Sequence, residues 1–278
     1  MGRHEYPFGI GMGFMIRFGY ADTSRGQVHY AACGAEDATP VLLFHQTPRS
    51  WDEFREVLPR LGRAGFRGIA PDTIGFGHSA RLGPGEHSIE MYADVAVEFA
   101  AALGISSAIV AGHHGGALVA LEFAARAPSL VSQLVLSSCP NYDEQARKPA
   151  AGPAMLDMAT VEADGSHLTQ LWRNRAPYYP PGRPDLLARF ARDALAAGDS
   201  AIEGHLAGQE YPIEIRSLSV KCPVLCIGAS DDPFTFGGLR PVADRFVDER
   251  TAVIDGGTIA LMEQRPDEVT ELIREFAS

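Results

Sequence analysis

The chain has 278 residues, of which 46% are hydrophobic and 21% are charged, a balance typical of a globular protein with a sizeable core. Its formal net charge of −11 argues against binding to nucleic acid or an anionic membrane, because both attract basic surfaces. We therefore expect a small-molecule substrate, with the oligomeric state open between a monomer and a homodimer.

The start of the chain carries no secretion signal that we recognise. Residues 1–15 mix charges with glycines and lack a long apolar run, and no later run is long enough to predict a transmembrane helix. The four cysteines show no CxxC spacing, which is typical of thiols packed in a reducing compartment. These features favour a cytoplasmic protein.

Strands and helices alternate along the first 140 residues. Apolar or alternating runs predict strands at residues 11–21, 27–33, 41–44, 67–70, 108–111 and 131–136. Helices are predicted from residue 50, at 88–103 and at 115–127, with Ser50 as an N-cap and Glu53 completing a capping box. This alternation predicts βαβ units and a parallel sheet.

The pattern changes after residue 140. Residues 141–216 contain no strand-like run and predict helices separated by proline and glycine, including one at 185–196. Strands resume at 223–227 and 251–254, and a final helix is predicted at 266–276. We therefore predict an α/β core with a doubly wound, mostly parallel sheet from residues 1–140 and 217–278, and a helical lid from residues 141–216.

A glycine-rich turn joins the strand and the helix on either side of His114. The sequence AIVAGHHGGAL at residues 108–118 places Gly112, Gly115 and Gly116 around it, as a strained central residue requires small neighbours. This segment resembles the nucleophile elbow G-x-S-x-G of the α/β-hydrolase fold superfamily, with His114 at the serine position.

Four further segments support that resemblance in the correct order. They are FHQTP at 44–48, PDTIGFGHS at 71–79, GASDDP at 228–233 and DGGTIALMEQRP at 255–266. They are similar to the family's oxyanion loop, its aspartate–glycine loop, its catalytic-acid loop and the segment that holds its catalytic histidine. The resemblance implies that Asp232 is the acid, that Ile259 replaces the histidine, and that Gln46 replaces a glycine of the oxyanion loop.

This pattern predicts an atypical catalytic site. A histidine at a helix N-terminus is disfavoured as a cation, and a neutral imidazole is a competent general base. We predict His114 as base or nucleophile and Asp232 as the group that orients it. The N–H groups of Gln46, Thr47 and Gly115 are the predicted oxyanion hole.

The leading hypothesis is cofactor-free hydrolysis of a small hydrophobic substrate. Two alternatives remain open, namely a lyase or cyclase that uses His114 as general base, and a ligand-binding protein without catalysis. Four residues are predicted to border the substrate pocket: His45, His113, Ile259 and Trp172. His45, His114 and Asp232 could in principle converge as zinc ligands. Adjacent histidines such as His113 and His114 rarely both bind one ion, and the sequence lacks HExxH spacing, so a site without metal is favoured.

Overall fold

The computed structural model describes residues 14–144, 157 and 160–278. Its sheet has eight strands: β1 (Arg17–Thr23), β2 (Gly26–Cys33), β3 (Thr39–Phe44), β4 (Phe66–Pro71), β5 (Ala108–His113), β6 (Val131–Ser137), β7 (Val224–Ala229) and β8 (Glu249–Ile254). The strand order is β1-β2-β4-β3-β5-β6-β7-β8. At one edge, β1 pairs antiparallel with β2, and β2 pairs antiparallel with β4. The other pairs, from β4 and β3 through β5, β6, β7 and β8, are parallel, which confirms the mostly parallel sheet.

The described helices surround this sheet. They are α1 (Val57–Arg63), α2 (Ile89–Ala102), α3 (Gly115–Arg126), α4 (Ser166–Arg175), α5 (Pro184–Ala197), α6 (Ser200–Glu210), α7 (Ile213–Arg216), α8 (Leu239–Ala243), α9 (Leu261–Gln264) and α10 (Pro266–Phe276). Across the part of the chain that is described, no helix is both long and apolar enough to cross a bilayer.

Two hydrophobic cores lie on opposite faces of the sheet. Successive strand residues point to opposite faces, and accordingly Leu42 and Val110 belong to one core while Leu43 and Ile109 belong to the other. The first core includes side chains of α2 and α3, and the second includes side chains of α1 and α10. All six residues of β5 are buried, as expected for a strand covered on both faces.

The predicted capping box at Ser50 is wrong. A short 3₁₀ helix (Trp51–Phe54) precedes α1, and the Ser50 hydroxyl accepts from the N–H of Asp52 at 3.4 Å. Glu53 instead turns inward, where its carboxylate accepts the N–H of Gln46 at 2.8 Å. A buried backbone donor next to the carboxylate competes with the helix terminus for it.

Among the residues that the structure describes between β6 and β7 are the helices α4–α7, which we call the inserted helices. Helix α5 matches the helix predicted at 185–196. Residues 145–156, 158 and 159 of the predicted lid lie outside the described residues, as do residues 11–13 of the first predicted strand. The division into a core and a lid at residues 141 and 216 stays a prediction.

Buried ion pairs attach α5 to the loop that precedes α1. Arg49 is fully buried, and its Nε donates to Asp193 of α5 at 2.9 Å. Its two terminal nitrogens donate to the two oxygens of Glu263 in α9, each at 2.9 Å. Ser50 also donates to Asp193, at 3.0 Å. The loop between β3 and α1 is therefore held by charges from two separate helices.

Candidate active site

The turn between β5 and α3 places His114 in unusual backbone geometry. His114 has φ 49° and ψ −121°, a conformation that non-glycine residues rarely adopt. A Cβ atom at Gly112 would lie 2.0 Å from the carbonyl oxygen of Gly116, and one at Gly116 would lie 2.0 Å from that of Phe44. Glycine is therefore required at both positions for the strand, the turn and the helix to pack this closely.

His114 contacts the carboxylate of Asp232. Nε2 lies 2.7 Å from Oδ2, but the N–H points off the line to the oxygen, so the contact has the distance of a hydrogen bond without its angle. Asp232 is fully buried and also accepts from the Thr235 hydroxyl at 2.7 Å and the Phe234 N–H at 3.0 Å. Burial opposes ionisation, but His114 and these donors outweigh it and hold the pKa of Asp232 well below its usual range.

The second ring nitrogen of His114, Nδ1, differs from Nε2 in its contacts. Nδ1 makes no hydrogen bond with the described part of the chain and is not among its buried polar atoms, and His114 borders a cavity. With an ionised Asp232 beside it, Nε2 is the position where the proton is favoured in the neutral ring. This assigned tautomer leaves the lone pair on Nδ1 of a side chain that lines the cavity.

The cavity beside His114 has a volume of about 130 Å³. One wall is formed at the ends of the strands by Thr47, His114, Gly115, Pro140, Phe234 and Ile259. A second group of lining residues, which we call the wall of inserted helices, consists of Asp157 and residues of α4 and α6, namely Arg175, Gly204, His205, Gly208 and Gln209. The two walls approach closely, since a Cβ at Gly204 would lie 2.9 Å from Cγ2 of Thr47.

Two of the three predicted oxyanion donors are available in this structure. The N–H groups of Thr47 and Gly115 have no acceptor within the described residues, and both residues line the cavity. The N–H of Gln46 is occupied by Glu53, and the Gln46 side chain donates to the same carboxylate at 2.5 Å. Gln46 borders the cavity, but its backbone donor points away from it.

Of the predicted pocket residues, Ile259 lines the cavity, whereas His113 does not. His113 is fully buried beneath the turn, where its ring lies 3.1 Å from the Ser137 hydroxyl and 3.1 Å from the Ile259 carbonyl oxygen. Burial lowers its pKa to about 4. His113 is therefore a neutral structural residue that links β5 to the loop of Ile259.

The predictions for His45 and Trp172 also require correction, because neither residue borders the cavity. The Nε2 atom of His45 accepts the N–H of Thr73 at 2.9 Å, and its Nδ1 lies 2.9 Å from the carbonyl oxygen of Gln46. Both nitrogens are occupied, which removes His45 as a zinc ligand. Trp172 packs against a hydrophobic cluster that includes Leu171 and the cavity residue Ile259. Within the described residues, no three His, Cys, Asp or Glu side chains are grouped to hold a metal ion.

Comparisons with known proteins identify the family. A family model described as alpha/beta hydrolase fold matches residues 39–264. The chain belongs to the alpha/beta hydrolase fold family. The resemblance seen in the sequence is thereby confirmed at the level of the family.

Individual relatives of this hydrolase-fold chain are distant. A haloalkane dehalogenase from Mycolicibacterium paratuberculosis is 30% identical over 148 residues, which are 53% of this chain and 48% of that protein. The chain thus spans about half the length of that relative. A bifunctional esterase/perhydrolase from Acinetobacter calcoaceticus is 25% identical over 244 residues, covering 80% of this chain and 86% of the relative.

A solved structure has the same fold. The enol-lactonase from Burkholderia xenovorans superposes with a TM-score of 0.78 at 19% identity, over 93% of this chain and 99% of that one. Similarity at this level of identity establishes the architecture alone. The chemistry of this hydrolase-fold chain depends on its own side chains.

Sequence reasoning missed the charged group on the wall of inserted helices. The Asp157 carboxylate pairs with Nε and Nη2 of Arg175, and its Oδ2 lies 2.6 Å from Nε2 of His205. Burial raises the pKa of Asp157, but Arg175 and His205 outweigh it and lower that pKa overall. The one available signal was the i, i+4 spacing of Leu171 and Arg175, which places a guanidinium on the buried face of α4.

Proposed function

We propose that this chain is a hydrolase for small hydrophobic esters or lactones, in which His114 is the general base and Asp232 orients it. The observation that supports this most directly is the 2.7 Å contact between Nε2 of His114 and Asp232, which leaves Nδ1 available on a side chain that lines the cavity. In the triad of serine hydrolases, a carboxylate likewise holds one ring nitrogen so that the other takes a proton.

The proposed reaction begins with a water molecule between Nδ1 of His114 and the substrate carbonyl. Nδ1 takes a proton from this water as the oxygen attacks the carbonyl carbon. The N–H groups of Thr47 and Gly115 would stabilise the negative charge that develops on the carbonyl oxygen. Collapse of the tetrahedral intermediate then releases the acid and the alcohol.

Two features of the site favour this reaction over a serine-type mechanism. The strained turn presents an imidazole where a hydroxyl nucleophile would otherwise stand, and the apolar side chain of Ile259 lies in the cavity wall. The wall also includes Leu118 and Phe234, which suits an apolar substrate. One relative is named as an esterase/perhydrolase, which is a name for an enzyme that acts on esters.

The test is turnover of a panel of nitrophenyl esters, alkyl esters and lactones by the wild-type protein and by His114→Ala. We expect His114→Ala to lower kcat/KM by about 10⁴-fold, at the upper end of general acid–base effects. The exposed His78 provides the matched control, and His78→Gln should retain wild-type activity.

Labelled water and mass spectrometry distinguish the role of His114. In water enriched in ¹⁸O, a single turnover should place the label in the acid product without any acyl adduct on the protein. An adduct on His114 would show that it is a nucleophile and would overturn the base role. Turnover without hydrolysis products would indicate a lyase, and a ligand that raises Tm but is recovered unchanged would indicate a binding protein.

A further inference from the structure

A second histidine–carboxylate pair lines the same cavity, among the residues of the wall of inserted helices. His205 of α6 contacts Asp157 through Nε2 at 2.6 Å, and both residues line the cavity with Arg175. Asp157 is 4% exposed, so its carboxylate is out of bulk water and is surrounded by its contacts with Arg175 and His205. The cavity thus has one carboxylate-oriented imidazole on each of its two walls.

The contacts of His205 determine which of its atoms can act. Nε2 is held by Asp157, whereas Nδ1 makes no hydrogen bond with any residue in the described ranges. The ring is partly exposed, with 31% of its side-chain surface accessible, so Nδ1 can exchange a proton with a bound molecule. Arg175 fixes Asp157 from the other side through two contacts and lies 4.7 Å over the ring of Phe190. The carboxylate is therefore held in place without using Nδ1.

We propose that His205 is a second acid–base residue, which donates a proton from Nδ1 to the leaving oxygen of the substrate. This inference rests on the proposed function, because it assigns the step that follows attack by water. It also specifies the substrate class as esters or lactones of strongly basic alkoxides. Such leaving groups need a proton as they depart, whereas nitrophenolates do not.

The proton balance closes with the two histidines. The attacking water forms a C–O bond and gives a proton to Nδ1 of His114. The scissile C–O bond breaks, and the leaving oxygen keeps the bonding electron pair and takes the proton from Nδ1 of His205. Afterwards His114 releases its proton to solvent and His205 takes one up, so one ester and one water yield one acid and one alcohol.

The experiment measures leaving-group dependence in His205→Gln. Glutamine can keep a hydrogen bond to Asp157 but cannot supply a proton from the Nδ1 position. For ethyl butyrate we expect kcat/KM to fall by about 10²–10³-fold, and for 4-nitrophenyl butyrate by less than about tenfold. A merely structural role would lower both by the same factor, and that result would overturn the proposal.

A control separates position from chemistry. His167 of α4 does not line the cavity, and its Nδ1 accepts the N–H of Glu162 at 3.1 Å, so His167→Gln should leave both esters unaffected. The melting temperature and circular dichroism of each variant should match the wild type. If His114→Ala removes both activities while His205→Gln shows no leaving-group dependence, this inference fails and the proposed function stands. If the wild type hydrolyses none of the esters, both fail.

Discussion

The two walls of the cavity carry similar groups but are built in different ways. On the strand-end wall, His114 is oriented by the backbone, since φ 49° and the glycines at 112 and 116 fix the turn. On the wall of inserted helices, His205 is oriented by side chains, because Asp157 and Arg175 come from separate segments and meet through ion pairs. Both walls end in an imidazole beside a buried carboxylate.

This difference indicates how each wall responds to change. A strained turn within a buried strand–helix unit is held by the whole core, so it keeps its geometry when one contact is lost. A side-chain network depends on each of its charges, and removal of one leaves the others buried and unpaired. We therefore expect substitutions on the strand-end wall to affect chemistry alone, and the loss of a buried arginine from the ion pairs to lower stability.

The largest expected effect sharpens the comparison on the strand-end wall. Asp232→Asn keeps the size of the side chain but removes the charge that favours a proton on Nε2 of His114. We expect kcat/KM to fall by about 10³-fold for both nitrophenyl and alkyl esters, since the base itself is misoriented. Steady-state kinetics on both ester classes measure this.

The neighbouring aspartate is the matched control. Asp231 is exposed, and its carboxylate accepts from the hydroxyl of Ser230 at 3.2 Å, so Asp231→Asn should retain wild-type kinetics. If Asp232→Asn lost activity only on alkyl esters, Asp232 would assist the leaving group, which is the role proposed for His205 on the other wall. Equal losses in Asp231→Asn and Asp232→Asn would show that the contact with His114 is not what matters.

The second prediction concerns the ion pairs that attach the inserted helices. Arg49→Met removes the fully buried guanidinium that contacts both Asp193 and Glu263. Because Asp193 keeps Arg192 and Glu263 keeps Arg189, we expect the free energy of unfolding to fall by about 3 kcal/mol. Urea denaturation measures this. The double variant Arg49→Met with Glu263→Met should recover part of the loss, because an apolar pair can replace a buried ion pair.

An exposed ion pair provides the control for Arg49. Arg274 pairs with Glu271 on the surface of α10, and Arg274→Met should leave the urea midpoint nearly unchanged. An Arg49→Met protein as stable as the wild type would contradict the view that side-chain charges hold the inserted helices. It would then follow that apolar packing holds both walls alike.

The sequence predicted those features of the fold and the site that short local segments determine. Alternating strands and helices, the glycine-rich turn at His114 and the position of Asp232 all follow from short segments, and the structure brings these two residues into contact. The sequence could not predict the hydrogen-bond partner of Glu53, because the N–H of Gln46 meets its carboxylate only after folding. The group of Asp157, Arg175 and His205 spans 48 residues of sequence separation, and no local periodicity pairs such distant charges.

The adjacent histidines 113 and 114 had the same residue type and opposite outcomes. Their rings are 4.7 Å apart, yet β5 directs one into the core while the turn directs the other into the cavity. Side chains of successive strand residues alternate between faces, but the strained residue departs from that rule. The sequence placed His114 at the nucleophile position, and the structure adds that His113 is fully buried and does not line the cavity.

The smallest predicted effect tests that distinction through pH. Burial lowers the pKa of His113 to about 4, whereas in the unfolded chain it is about 6.5. Between these values the unfolded chain binds a proton that the folded protein does not. The free energy of unfolding should therefore fall by about 3 kcal/mol as pH decreases from 6.5 to 4. Urea denaturation at several pH values measures this slope, and His113→Gln should flatten it. A slope that persists in His113→Gln would show that His113 is not the histidine whose burial opposes protonation in the folded protein.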